Sequence, residues 1–259
     1  MIRKHIYKWH RTASLIIAIP VLLWAISGFL HPIITNIRPQ IATQFIMPAC
    51  IDSSTIKVPL QEALQKNRID SFLAVRLIAI DTNWFYQVKL IHSPKLEYYS
   101  VTNGKKLNKG DWLYAQYLAR IFLEGQKKDS IHQSGNGITN ANTNQQLDCC
   151  DAAANCVLKP KRGTPVKDIA FLTSFNAEYK SINRLLPAYK VSFDRTDGIR
   201  IYVETGQDRF SVAVDRNRAW FSTFFSLVHT MEWLDMLGKA RLLVEMAFTA
   251  LAFLTALMG

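Results

Sequence analysis

Three histidines stand where the chain changes between polar and apolar sequence. His10 precedes the uncharged run Thr12 to Leu30, His31 follows it, and His229 precedes a second apolar run, Met246 to Met258. Imidazole can carry a proton or ligate a metal at such a boundary. His10 and His31 are 21 positions apart. At about 100° per residue they fall roughly 60° apart around a helix and ~31 Å apart along it. One imidazole at each end of a broad helix face suits two stacked sites near opposite membrane surfaces. His31 and His229 are expected at the same depth. Two neutral imidazoles on neighbouring helices can hold a haem iron axially, and closing both positions suits electron transfer. The same residues also suit hydrogen bonding to headgroups or backbone. His5 reads as part of a basic anchor, and His92 and His132 as surface residues.

Cysteines form the second group. Cys149 and Cys150 are adjacent, Cys156 follows six positions after Cys150, and Cys50 lies far upstream. Adjacent cysteines rarely bridge each other, so Cys149 or Cys150 with Cys156 is the natural local closure. Four cysteines allow three connectivities in a compartment that permits disulfides. Asp148 and Asp151 flank the pair, so a soft metal or thiol–disulfide exchange is the competing reading. The spacing matches no zinc motif.

The elements that must position these groups begin with the helix itself. Thr12 to Leu30 is nineteen residues without a charge, and at ~1.5 Å per residue it spans roughly the ~30 Å core of a bilayer. Arg3, Lys4, Lys8 and Arg11 precede it, which holds that end in the cytoplasm. The run exceeds the apolar stretch of a signal peptide and is followed by His-Pro rather than a small-residue cleavage site, so it reads as an uncleaved anchor. The net charge of +11 is otherwise scattered. Without a basic stripe interleaved with aromatics, no nucleic-acid partner is expected.

Between the apolar runs the pattern is mixed. Val58 to Lys66 has helical spacing, and Phe72 to Ile80, Trp84 to Ile91 and Leu96 to Val101 read as strands. In the middle strand Trp84, Tyr86, Val88 and Leu90 share one side. Asp81-Thr82-Asn83 and Thr102-Asn103-Gly104-Lys105 supply turns. Asp111 to Glu124 reads as a helix with Leu113, Tyr117 and Ile121 spaced by four, and Lys127 to Asp148 as an exposed loop. A second package then repeats the grammar. Phe171 to Leu186 reads as a helix, with strands at Tyr189 to Phe193, Ile199 to Glu204 and Arg209 to Val214, and a polar turn at Asp215 to Arg218. A weak internal duplication and two unrelated packages both fit. Trp220 to Trp233 is aromatic and amphipathic, as expected at a membrane interface. Met246 to Met258 covers only about 20 Å, an incomplete span. Glu245 needs a partner such as Arg241, since an ionised carboxylate in a bilayer is costly.

Several motifs carry a family resemblance over nearly the whole chain. Lys8-Trp9-His10-Arg11, the apolar helix with Pro20, and Trp24-Ala25-Ile26-Ser27-Gly28 resemble the PepSY-associated transmembrane helix family of bacterial inner-membrane proteins. Leu227-Val228-His229-Thr230 leading into Gly238-Lys239-Ala240-Arg241 resembles its second membrane helix. Thr102 to Lys105 and Val214 to Asn217 resemble the ends of PepSY modules. The resemblance implies iron uptake and ferric-siderophore reduction. Family members commonly have about four membrane helices, so the chain reads as a C-terminally truncated member.

The expected fold is therefore an α+β membrane protein in which two transmembrane helices flank two small helix-plus-antiparallel-sheet modules. Its parts are a cytoplasmic N-terminus (1–11), a first membrane helix (12–34), a first module with its following helix (35–126), a loop with the cysteine cluster (127–164), a second module (165–219), an interfacial helix (220–237) and a second membrane helix (238–259). Residues 35–237 are expected outside the cytoplasm of a bacterium. The expected function is electron transfer through haem b, with His10, His31 and His229 as candidate axial ligands. The acceptor would be ferric iron or a ferric siderophore, and the donor a quinol or a redox protein. The alternative is a membrane-anchored binding module for a peptide, protease or transporter partner. The chain holds no Gly-rich nucleotide loop, no hydrolase triad context and no catalytic carboxylate pair.

Overall fold

The computed structural model describes residues 2–36, 38–125, 163–181 and 185–258. They are mixed α and β, with a long apolar helix toward each terminus and two antiparallel sheets between. The chain divides into two units, Met1–Arg38 with Arg216–Gly259, and Pro39–Asp215.

The first unit is helical. Helix α1 runs Ile2–Asn36 through Pro20 and Pro32. Tyr7–Ile33 within it is long and apolar enough to cross a membrane. Helix α4 (Arg216–Val228) follows the sheets, a 3-10 helix covers Glu232–Leu237, and helix α5 runs Ala240–Met258. Met231 and Gly238, both at positive φ, bracket the 3-10 helix. At Gly238 φ is 54° and ψ −125°, a conformation open only to a residue without Cβ. The expected single helix over 220–237 is thus two elements, and Arg216 to Arg218 of the expected turn are the start of α4. Helix α5 also corrects the expected short span. Ala240–Leu257 is long and apolar enough to cross a membrane, and within it Arg241 and Glu245 pair with each other, Nε to Oε1 at 2.7 Å. The two helices pack against each other. Ser27 is fully buried on α1 and Thr255 is buried on α5. Large apolar side chains such as Leu15, Ile19 and Phe29 on α1, and Leu243 and Phe253 on α5, stay exposed.

The second unit is α+β. Helix α2 (Leu60–Lys66) precedes strands β1 (Ala74–Ile80), β2 (Asn83–Lys89) and β3 (Glu97–Ser100), which pair in that order. Ile80 faces Asn83, so Asp81-Thr82 is the two-residue turn, and Asp81 takes a positive φ. The alternation of β2 sets two faces. Trp84, Tyr86 and Val88 pack toward α2 with Leu90, whereas Phe85 points to the other core. Helix α3 (Gly110–Glu124) lies in that other core.

Strands β4 (Val166–Leu172), β5 (Ala188–Phe193), β6 (Arg200–Glu204) and β7 (Arg209–Val214) form the second sheet, in sequence order. Here the expected helix over Phe171 to Leu186 is overturned. Phe171 belongs to β4 and pairs with Tyr189. The second sheet has no helix of its own among the described residues. It packs on α3, which both sheets share in one core with Tyr98, Leu118, Phe122, Val191 and Ile201. The two expected modules are therefore one unit around α3. Of the residues spaced by four on α3, Ile121 is buried and Leu113 and Tyr117 are half-buried. Tyr114, Leu118 and Phe122 are buried as well, since a helix between two sheets is apolar nearly all round.

One carboxylate joins the layers. Asp111, buried at the start of α3, accepts hydrogen bonds from Tyr98 Oη (3.0 Å), Tyr189 Oη (2.9 Å) and Thr205 Oγ1 (2.7 Å). Gln87 Nε2 donates to Tyr98 Oη and to the Thr205 carbonyl, both at 2.8 Å. Buried polar groups persist when each finds a partner, and these link β2, β3, α3, β5 and the β6–β7 loop.

Candidate functional site

His229 follows the last residue of α4, and its amide still donates to the Phe225 carbonyl at 2.8 Å. One helical turn separates the two side chains, and their rings stack with centroids 4.4 Å apart. The other side of the imidazole stacks on Trp24 of α1 at 5.2 Å. Gly28 lies under it, since a Cβ there would sit 3.5 Å from His229 Cε1. Close packing of this kind between apolar helices needs small residues, which Ser27 and Gly28 provide.

Two contacts of the Ser27 hydroxyl bear on the imidazole tautomer. Ser27 Oγ lies 2.9 Å from the Trp24 carbonyl and 3.0 Å from His229 Nδ1. A carbonyl only accepts, and a hydroxyl has one proton. With that proton given to Trp24, Ser27 Oγ accepts from His229 Nδ1–H. The lone pair then sits on Nε2, the state in which imidazole ligates a metal while its other nitrogen is held by a neighbour.

Arg241 holds the turn that carries His229. Its Nη2 donates to the Thr230 carbonyl at 2.8 Å, its Nη1 pairs with Asp235, and its Nε reaches Glu245. One guanidinium thereby fixes the end of α4, the 3-10 helix and the first turns of α5. The expected pairing of Glu245 with Arg241 is present.

His31 reaches the same cluster. Its ring lies 5.0 Å from that of Phe225, which also stacks on His229. The structure therefore brings His31 and His229 together through one aromatic ring. His10 lies nearly five helical turns beyond Ser27 toward the N-terminus of α1, at about 3.6 residues per turn. Its Nδ1 is buried without a hydrogen-bond partner among the described residues. An orphaned buried imidazole nitrogen is costly unless something binds it, so it fits a ligand role. Cys50 is half-buried. Cys149, Cys150 and Cys156 lie outside the described residues, as does the loop expected over 127–148.

Ser27, Trp24, Phe225 and Arg241 complete this site. Ser27-Gly28 in a run of large apolar residues is a legible signal for a helix contact, although it does not name His229 as the partner. Compared with known proteins, the chain matches no family model, and no curated protein or solved structure matches it.

Proposed function

We propose that the helical unit crosses a bacterial inner membrane and carries electrons through haem b to ferric iron or a ferric siderophore outside the cytoplasm. A quinol or a redox protein would be the donor. The observation that carries this reading is the 3.0 Å contact of His229 Nδ1 with Ser27 Oγ on a clamped ring, which leaves the lone pair on Nε2 when the Ser27 proton goes to the Trp24 carbonyl. A bound haem b would supply a one-electron carrier with closed axial positions. His229 and His31 would serve one end of α1, and His10 the other. Ser27 orients the imidazole, while Trp24 and Phe225 cover its faces and exclude water. The bare apolar surfaces of α1 and α5 suit lipid contact, and each helix meets the length that a bilayer requires.

The test is a reduced-minus-oxidised visible spectrum of the detergent-purified protein, expressed with ample haem. The expected result is a b-type α-band that His229→Ala removes in large part, that His31→Ala weakens, and that His10→Ala lowers separately. A protein without a Soret band, or one whose band survives all three substitutions, overturns the reading.

A further inference from the structure

The α+β unit holds a cleft of about 600 Å³ that the electron-transfer reading leaves unused. That volume lies within the range of roughly 300–1,000 Å³ that small-molecule sites occupy. Strand β1 borders it through Arg76 to Ala79, and β1 is an edge strand that pairs with β2 alone in its sheet. The extended segment from Gln44 to Ala49 forms another side, and the β6–β7 loop another. Trp84, Tyr114, Tyr117 and Phe210 supply aromatic surface.

The charge in the cleft is organised. Its ionisable cations and anions are Arg76, Arg209 and Asp208, two positive and one negative. Arg76 Nη1 donates to the Gly206 carbonyl and its Nη2 pairs with Asp208 Oδ2. The other oxygen of Asp208 accepts from Tyr114 Oη at 2.6 Å. Asp208 also holds a φ of 57°, a left-handed conformation that costs a non-glycine residue energy and persists where its surroundings hold it. One carboxylate oxygen thus orients the arginine and the other is held by Tyr114. A guanidinium carries five N–H donors; two are used here, and the side chain is 35% exposed. Three donors remain for a ligand.

We propose that this cleft binds a small carboxylate with an aromatic or apolar body. Arg76 meets the carboxylate as a two-pronged donor, the geometry that distinguishes arginine from lysine. Arg209 adds a second positive charge at the loop, and the aromatic wall takes the body. An amine is disfavoured, because the lining is net positive and Asp208 is already paired with Arg76. This proposal stands independently of the haem.

The experiment is calorimetric titration of the intact, detergent-purified protein with 4-phenylbutyrate, its neutral amide serving as the control in the same micelles. The expected result is saturable binding of the acid, at least about tenfold tighter than the amide, since hydrogen bonds to charged groups carry that much. Arg76→Gln is expected to lose about tenfold for the acid and little for the amide. Arg209→Gln, at an exposed position, is expected to weaken the acid by a smaller factor and guards against a folding defect in the first variant. Equal heats for acid and amide, no saturable binding of either, or unchanged acid binding in folded Arg76→Gln overturns the proposal. The haem spectrum of the same preparation reports separately on His229.

Discussion

His229 Nδ1 lies 3.0 Å from Ser27 Oγ, although 202 positions separate the two residues in the chain. The contact ties the end of α4 to α1.

Ser27→Ala tests that relationship. It removes the acceptor of the Nδ1–H bond without adding volume to a fully buried position. Loss of such an outer partner typically costs about 10–100-fold in affinity at a histidine-held metal. On the haem reading, transfer of haem to an excess of apomyoglobin is expected to speed up by at least tenfold in the variant. The protein should still extract with detergent at the wild-type yield.

Arg241→Gln tests the clamp. The substitution removes the ties to Thr230, Asp235 and Glu245 together, whereas Glu245→Gln disturbs one of them. Segments with few remaining bonds open more often. Limited chymotryptic cleavage near Trp233 is expected to accelerate several-fold in Arg241→Gln, and less in Glu245→Gln. The readout is the position and rate of the cut, followed by mass spectrometry.

Asp111→Ala tests the joint between the sheets. It leaves the hydroxyls of Tyr98, Tyr189 and Thr205 without their acceptor. At roughly 1 kcal/mol for each lost bond, the expected destabilisation is about 3 kcal/mol. Asp111→Asn retains an acceptor oxygen and is expected to cost less. Urea unfolding in detergent, followed by tyrosine fluorescence, measures both.

Alkaline pH tests the buried tyrosines. Burial pushes Tyr117 up to about 12, with the charges of Asp81 and Asp208 adding to it. Burial and neighbouring carboxylates push Tyr98, Tyr114 and Tyr189 in the same direction. A raised folded-state value means that the unfolded chain releases its proton first, near pH 10. Stability is therefore intact below pH 10 and falls as pH rises from there toward 12. Absorbance at 295 nm should show part of the tyrosine population titrating near 10 and the rest only above it. Tyr117→Phe should blunt the loss of melting temperature across that window.

Local patterns were legible where the deciding physics is local. The alternation of Trp84, Tyr86 and Val88 gave their shared face, because strand side chains alternate whatever lies opposite. The charge-free run in α1 and the i, i+4 pairing of Arg241 with Glu245 follow from helix geometry alone. The reading of Phe171 to Leu186 as a helix failed because pairing with β5 claimed Phe171 through the bonds of another strand. Propensity gives way to such tertiary contacts.

Residue types and their spacing, by themselves, determined two apolar helices, the strands between them except β4, and three histidines at polar–apolar boundaries. Tertiary structure decided that one helix, α3, would serve both sheets and that Phe225 would lie against both His31 and His229. It also decided that Ser27 would meet His229 Nδ1, and that Arg76, Tyr114 and Asp208 would converge on one cleft. Each of those outcomes joins segments distant in the chain. Periodicity reports which face of an element is apolar, whereas the partner that covers that face is chosen by packing and by the need of every buried polar group for a bond.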